Sequence, residues 1–79
     1  MSTKAYVLLE TAVGKTRDVL SALRGVDGVR EADGVTGEYD IVAVVEAGSL
    51  ADIGDLVTKN IHTIPGIQRT TTYLTIPME

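Results

Sequence analysis

Val26-Asp27-Gly28-Val29 and, thirty-eight positions later, Ile64-Pro65-Gly66-Ile67 are the stretches on which the reading of this chain turns. Each consists of an apolar residue, a turn residue, a glycine and an apolar residue that opens the next segment. Glycine just beyond an amphipathic run is a common helix stop, and Pro cannot continue a helix. Both stretches therefore mark a passage from helix to strand. The same offset aligns Val19 with Val57 and Leu23 with Ile61, so the chain is two similar halves.

Working outward, the residues before each turn carry helical periodicity. Thr16, Val19, Leu20, Leu23 and Val26 recur at spacings of three and four, as do Ile53, Leu56, Val57, Ile61 and Ile64. Ser49 is a good N-cap for the second helix, with Asp52 three positions on as a capping-box-like partner. Strands are expected over residues 4–11, about 29–35, 39–47 and 67–76, the last closing at Pro77. Strand–helix–strand twice over, with right-handed crossovers, predicts one α+β domain over residues 1–79. Its architecture is a ferredoxin-like βαββαβ sandwich, a four-stranded antiparallel sheet with two helices on one face.

One feature exceeds what that fold needs. A sheet covered by helices on one side and water on the other alternates apolar and polar residues along its strands. Ile41-Val42-Ala43-Val44-Val45 does not alternate, and Tyr6-Val7-Leu8-Leu9 places apolar groups on both sides. The helices cover one face only, so a second copy is the expected cover for the other. A chain of 79 residues with no Cys, Phe or Trp has few other ways to bury more surface.

Composition narrows the function classes. The chain is 44% apolar and 23% charged, which argues for a folded domain. No apolar run approaches the ~20 residues of a membrane span, and the N-terminus lacks a signal-peptide pattern. A cytoplasmic location and no cofactor are the expectations. Seven basic residues against eleven acidic ones give −4, and the basic ones are scattered. Direct nucleic-acid binding, which needs a concentrated positive footprint, is disfavoured. His62 is the single histidine and has no companions for a metal site; no metal is expected.

Thr36-Gly37-Glu38-Tyr39-Asp40, followed by an apolar strand, resembles the T-G-[DE]-[YF]-D signature of the Lrp/AsnC family of transcriptional regulators. Ile64-Pro65-Gly66-Ile67 followed by Arg69, Thr72 and Tyr73 resembles the family's Pro-Gly turn into a Thr-Tyr-bearing last strand. The resemblance spans essentially the whole chain, but only the family's effector-binding (RAM) domain; Met1 lies directly before the first strand, so a stand-alone domain without the helix-turn-helix is expected. The resemblance implies pairing through the sheets, in the manner of a dimeric α/β barrel, with dimers assembling into octamers. It implies an amino-acid effector bound between dimers, and output through full-length Lrp/AsnC regulators as partners. Carried over by motif position, the effector-binding residues are Gly37, Tyr39 and Asp40 on one side and Tyr73, Leu74 and Thr75 on the other.

Each of these has a second reading. Asp40, a poor strand residue, is suited to hold the ammonium of a free amino acid or to bond nearby backbone amides and shape the turn. Gly37 serves a positive-φ turn or lets a ligand carboxylate approach the main chain. Tyr39 and Tyr73 wall a pocket or pack on the sheet with their hydroxyls at its rim. Thr75 stands apart from Thr70, Thr71 and Thr72 by family position alone. The alternative function is a small dimeric enzyme of the isomerase or cofactor-free oxygenase type. One His, three Tyr and no Cys leave nucleophile and base pairs scarce, and the reading is a binding domain that does not catalyse. RNA stacking fails for want of aromatics on the third strand.

Overall fold

Alternation along the central strands sorts the chain into its layers. The computed structural model describes residues 2–78. β1 (Thr3–Thr11), α1 (Thr16–Arg24), β2 (Val29–Gly34), β3 (Ile41–Ala47), α2 (Leu50–Asp55) and β4 (Ile67–Leu74) follow in order, with a π-helical stretch, Leu56–Ile61, continuing α2. The strands lie in the order β2-β3-β1-β4 and every neighbouring pair is antiparallel. This is the expected ferredoxin-like βαββαβ arrangement.

Ala5, Val7 and Leu9 of β1 and Ile41, Ala43 and Val45 of β3 are fully buried; with Ala32 of β2 they form the sheet side of the core. Val19 and Leu23 of α1, Ile53 of α2, and Leu56 and Ile61 of the π-helical stretch complete it. Of the predicted stripes, Leu20, Val26, Val57 and Ile64 are partly buried and pack against this core. The opposite face has no second layer. There Leu8, Val42 and Val44 are only half-buried, and Tyr6 stands across from Tyr73. The chain exposes 5201 Å², against about 4,600 Å² for a typical monomer of this mass. Its extents of 39 × 25 × 17 Å describe a slab one helix layer and one sheet thick.

Strand boundaries differ from the expectation, most at β3 and β4. β3 begins at Ile41, because Tyr39 and Asp40 form the end of the preceding loop. β4 ends at Leu74, after which, among the described residues, only Thr75 is bonded back, its N–H and its hydroxyl both donating to Lys4 O. The second helix starts as predicted, with Ser49 Oγ accepting from the Asp52 N–H at 3.1 Å. It then widens to π geometry, which apolar periodicity does not foretell.

The edges are treated differently. Arg24, in the last turn of α1, donates through Nε and Nη2 to Ala32 O of β2 at 3.2 and 2.8 Å. Among the described residues no side chain bonds the outer margin of β4 in that way.

The second helix-to-strand turn shows why glycine is required. Gly66 has φ +101°, and a Cβ there meets Lys15 Cβ at 2.9 Å and Val19 Cγ2 at 3.0 Å. The turn thus docks directly on α1, and Ala12 N–H donates to Gly66 O at 2.7 Å. Gly66→Ala is expected to cost about 2–3 kcal/mol through left-handed strain and the clash. Urea denaturation checks this as a lowered midpoint with unchanged slope.

Candidate functional site

The loop between β2 and β3 carries the first half of the expected site and splits it between the faces of the sheet. Gly37 adopts φ +121°, a backbone conformation that favours glycine, and the space where a Cβ would stand is open. Asp40 is tied to β1 and to the residue just after β2 by its backbone, its N–H donating to Leu9 O and its carbonyl accepting from the Val35 N–H, both at 2.9 Å.

The Asp40 side chain turns towards the helix layer. Its Oδ2 accepts from the Thr11 N–H at 2.8 Å and from Thr11 Oγ1 at 3.2 Å. Thr11 Oγ1 is in turn 2.7 Å from Thr16 Oγ1 at the start of α1. A register shift falls between Glu10 and Thr11. The carboxylate thus takes up an N–H at the irregularity, where the sheet ladder is interrupted. Asp40 does shape the local backbone, while Oδ1 makes none of these bonds. Thr11 is a buried polar residue, 8% exposed, and the sequence reading missed it. Its signal was present: a hydroxyl at the end of the row Ala5, Val7, Leu9, whose other members are apolar.

Tyr39 lies on the opposite, open face. Its hydroxyl is 2.8 Å from Thr71 Oγ1, and the Arg69 guanidinium sits 5.1 Å from its ring centroid, a cation–π distance. Arg69 also reaches Glu10 at 3.8 Å. Arg69 and Thr71 were visible in the sequence, but their contact with Tyr39 depends on the path of the loop.

The second half of the expected site lies at the far end of the sheet. Tyr73 faces the open side opposite Tyr6, whose ring carries the Lys4 ammonium at 5.2 Å. Leu74, opposite Ala5, faces the helix layer. Thr75 is held on Lys4 O. Asp40 is bonded at the level of Leu9 and Thr75 at the level of Lys4. Five residues of β1 separate them, roughly 17 Å at the rise of a strand. One chain therefore brings Asp40 to Thr11 and Thr16, and Tyr39 to Thr71 and Arg69, but leaves Asp40 and Thr75 at opposite ends of β1.

Beside Leu74 is a cavity of about 270 Å³, lined by Leu50, Ile53, Gly54, Val57, Thr58, Thr72 and Leu74. It lies where the helix layer leaves β4 uncovered. The lining has no charged group. Among the described residues no cluster of three or more His, Asp or Glu is placed to hold a metal ion, and no helix is long and apolar enough to cross a membrane. His62 is exposed at the end of the π-helical stretch.

Residues 4–77 match the family model of the Lrp/AsnC ligand binding domain. The chain belongs to the Lrp/AsnC family. Among solved structures, this Lrp/AsnC domain is similar to FFRP-DM1, at 39% identity and TM-score 0.89 over 94% of this chain and 99% of that one. It is also similar to the hypothetical protein PHS023 of Pyrococcus horikoshii, at 38% identity and TM-score 0.87 over 99% and 93%. Escherichia coli AsnC aligns at 25% identity and TM-score 0.90, over 96% of this chain but 52% of AsnC. A comparison with curated proteins returns no match. Membership places the domain in a class of transcription regulators, as an effector-binding module.

Asp40→Ala is expected to lower stability by about 1–3 kcal/mol, since it leaves the Thr11 N–H without its acceptor. Asp40→Asn keeps an acceptor oxygen and is expected to lose less. Urea denaturation of both variants checks the order.

Proposed function

We propose that this Lrp/AsnC domain is an amino-acid sensor whose binding site is completed between copies of itself. The observation that carries this reading is the separation of roughly 17 Å between Asp40, at the level of Leu9, and Thr75, at the level of Lys4, on one sheet. A small ligand touching both sets needs them from two chains. Asp40 Oδ1, with Oδ2 fixed by Thr11, suits a charge-assisted bond to an ammonium. Gly37, with open space beside it, suits a ligand group that approaches the main chain.

The open face supports pairing. Leu8, Val42 and Val44 lie adjacent on the two central strands, flanked by Tyr6, Tyr39 and Tyr73, and aromatic residues are enriched at protein interfaces. A second sheet laid on this face buries them, and further association of such dimers, up to octamers, brings the two halves of the site together. The domain binds its effector without turning it over. Occupation between dimers favours one assembly over another, which is how a binding event alone transmits a signal. Output then passes through co-assembly with full-length Lrp/AsnC regulators in the cytoplasm, with no direct contact to nucleic acid.

Two measurements test this. In a thermal-shift screen of the twenty amino acids, at least one is expected to raise the midpoint by on the order of 10 °C at a hundredfold excess over Kd. Asp40→Ala is expected to bind it at least tenfold more weakly by calorimetry; a flat profile across all twenty overturns the sensor reading. Val44→Lys is expected to convert a self-associated parent into monomers in sedimentation velocity, whereas a parent that is monomeric at 100 µM overturns pairing.

A further inference from the structure

We propose that the cavity between α2 and β4 is a docking site for the C-terminal tail of a second copy, which seats Ile76 and Met78 in it. This contact is separate from pairing through the open sheet face and does not rest on the effector reading.

The first observation is a glycine without a reason in its own chain. Gly54 is next to last in α2, and the π-helical stretch carries the helix on beyond it, so it is an interior helical position where glycine costs about 1 kcal/mol relative to Ala. Its φ is not positive, and a Cβ built on it meets nothing within 4 Å. Neither conformation nor packing within the monomer requires the missing side chain. Gly54 forms part of the wall of the 270 Å³ cavity, so its absent Cβ leaves room for an occupant to approach the helix backbone. Thr58, one turn on, donates its hydroxyl to Gly54 O at 2.8 Å. That bond satisfies the polar atom on this wall.

The lining then selects the occupant. Leu50, Ile53, Val57 and Leu74 are apolar, and no charged side chain lines the cavity. A free metabolite with an ammonium, carboxylate or phosphate finds no ionic anchor there. The fitting guest is an apolar side chain delivered on a backbone that is held elsewhere. This chain carries such a segment: Ile76 is 76% exposed and Met78 86% exposed, joined by Pro77, whose fixed φ restricts the tail before docking. The tail does not fill its own cavity. Thr75 is bonded twice to Lys4 O, and Ile76, immediately beyond, stands in solvent. An unfilled apolar cavity and an unburied apolar tail on one molecule complement each other between two, and the exchange is reciprocal about a twofold axis.

The test uses full-length variants and a fluorescein-labelled peptide of residues 73–79. The host is the Ile76→Ser, Met78→Ser chain, whose own tail no longer competes. By anisotropy the peptide is expected to saturate it with Kd below 1 mM, at least tenfold more weakly when Gly54→Leu is added, and with an intermediate loss for Gly54→Ala. Both glycine variants are expected to fold, since the added atoms enter open space. Adding Val44→Lys is expected to leave peptide binding unchanged, which separates this contact from pairing through the sheet. Absence of binding at 2 mM peptide, or equal binding to the Gly54→Leu chain, overturns the proposal.

Discussion

The structure depends on one imbalance: the central strands are apolar on both faces, and the helix layer covers one. Ala5, Val7, Leu9, Ile41, Ala43 and Val45 vanish completely beneath α1, α2 and the π-helical stretch. Leu8, Val42 and Val44, on the same two strands, do not. Burying an apolar side chain is worth about 1.5–3 kcal/mol, a large share of the stability of a domain this small. The open face is thus the main unrealised source of stability in the chain, and its position on β1 and β3 follows from the strand order.

Most of the fold was legible in the sequence because its determinants are local. The two glycine turns, the helical stripes and the loss of alternation in β3 are each read within about ten residues. Gly66 illustrates the limit of that reading: its place as a stop is visible, but its approach to Lys15 and Val19 requires the folded packing. The widening of α2 into π geometry was not legible, since the apolar stripe tolerates one extra residue in a turn.

The candidate site was less legible, for a physical reason. Sequence motif gathers Gly37, Tyr39 and Asp40 as neighbours, yet they lie in the loop ahead of β3, whose path does not follow from strand alternation and turns Tyr39 and Asp40 to opposite faces. Tyr39 accordingly joins Thr71 and Arg69 on the open side, while Asp40 joins Thr11 and Thr16 on the helix side. Thr11 was overlooked because a threonine at a strand end looks like a strand former. Its importance comes from the register shift beside it, which only strand pairing reveals.

The capping of β2 by Arg24 has a consequence for how such molecules avoid aggregation. An endless ribbon of sheet requires every unit to offer two receptive margins. Here one carbonyl on the β2 side is already occupied by a guanidinium, so this margin has one acceptor fewer to offer an incoming strand. Growth of a ribbon along β2 is thereby disfavoured relative to an edge whose carbonyls are all free.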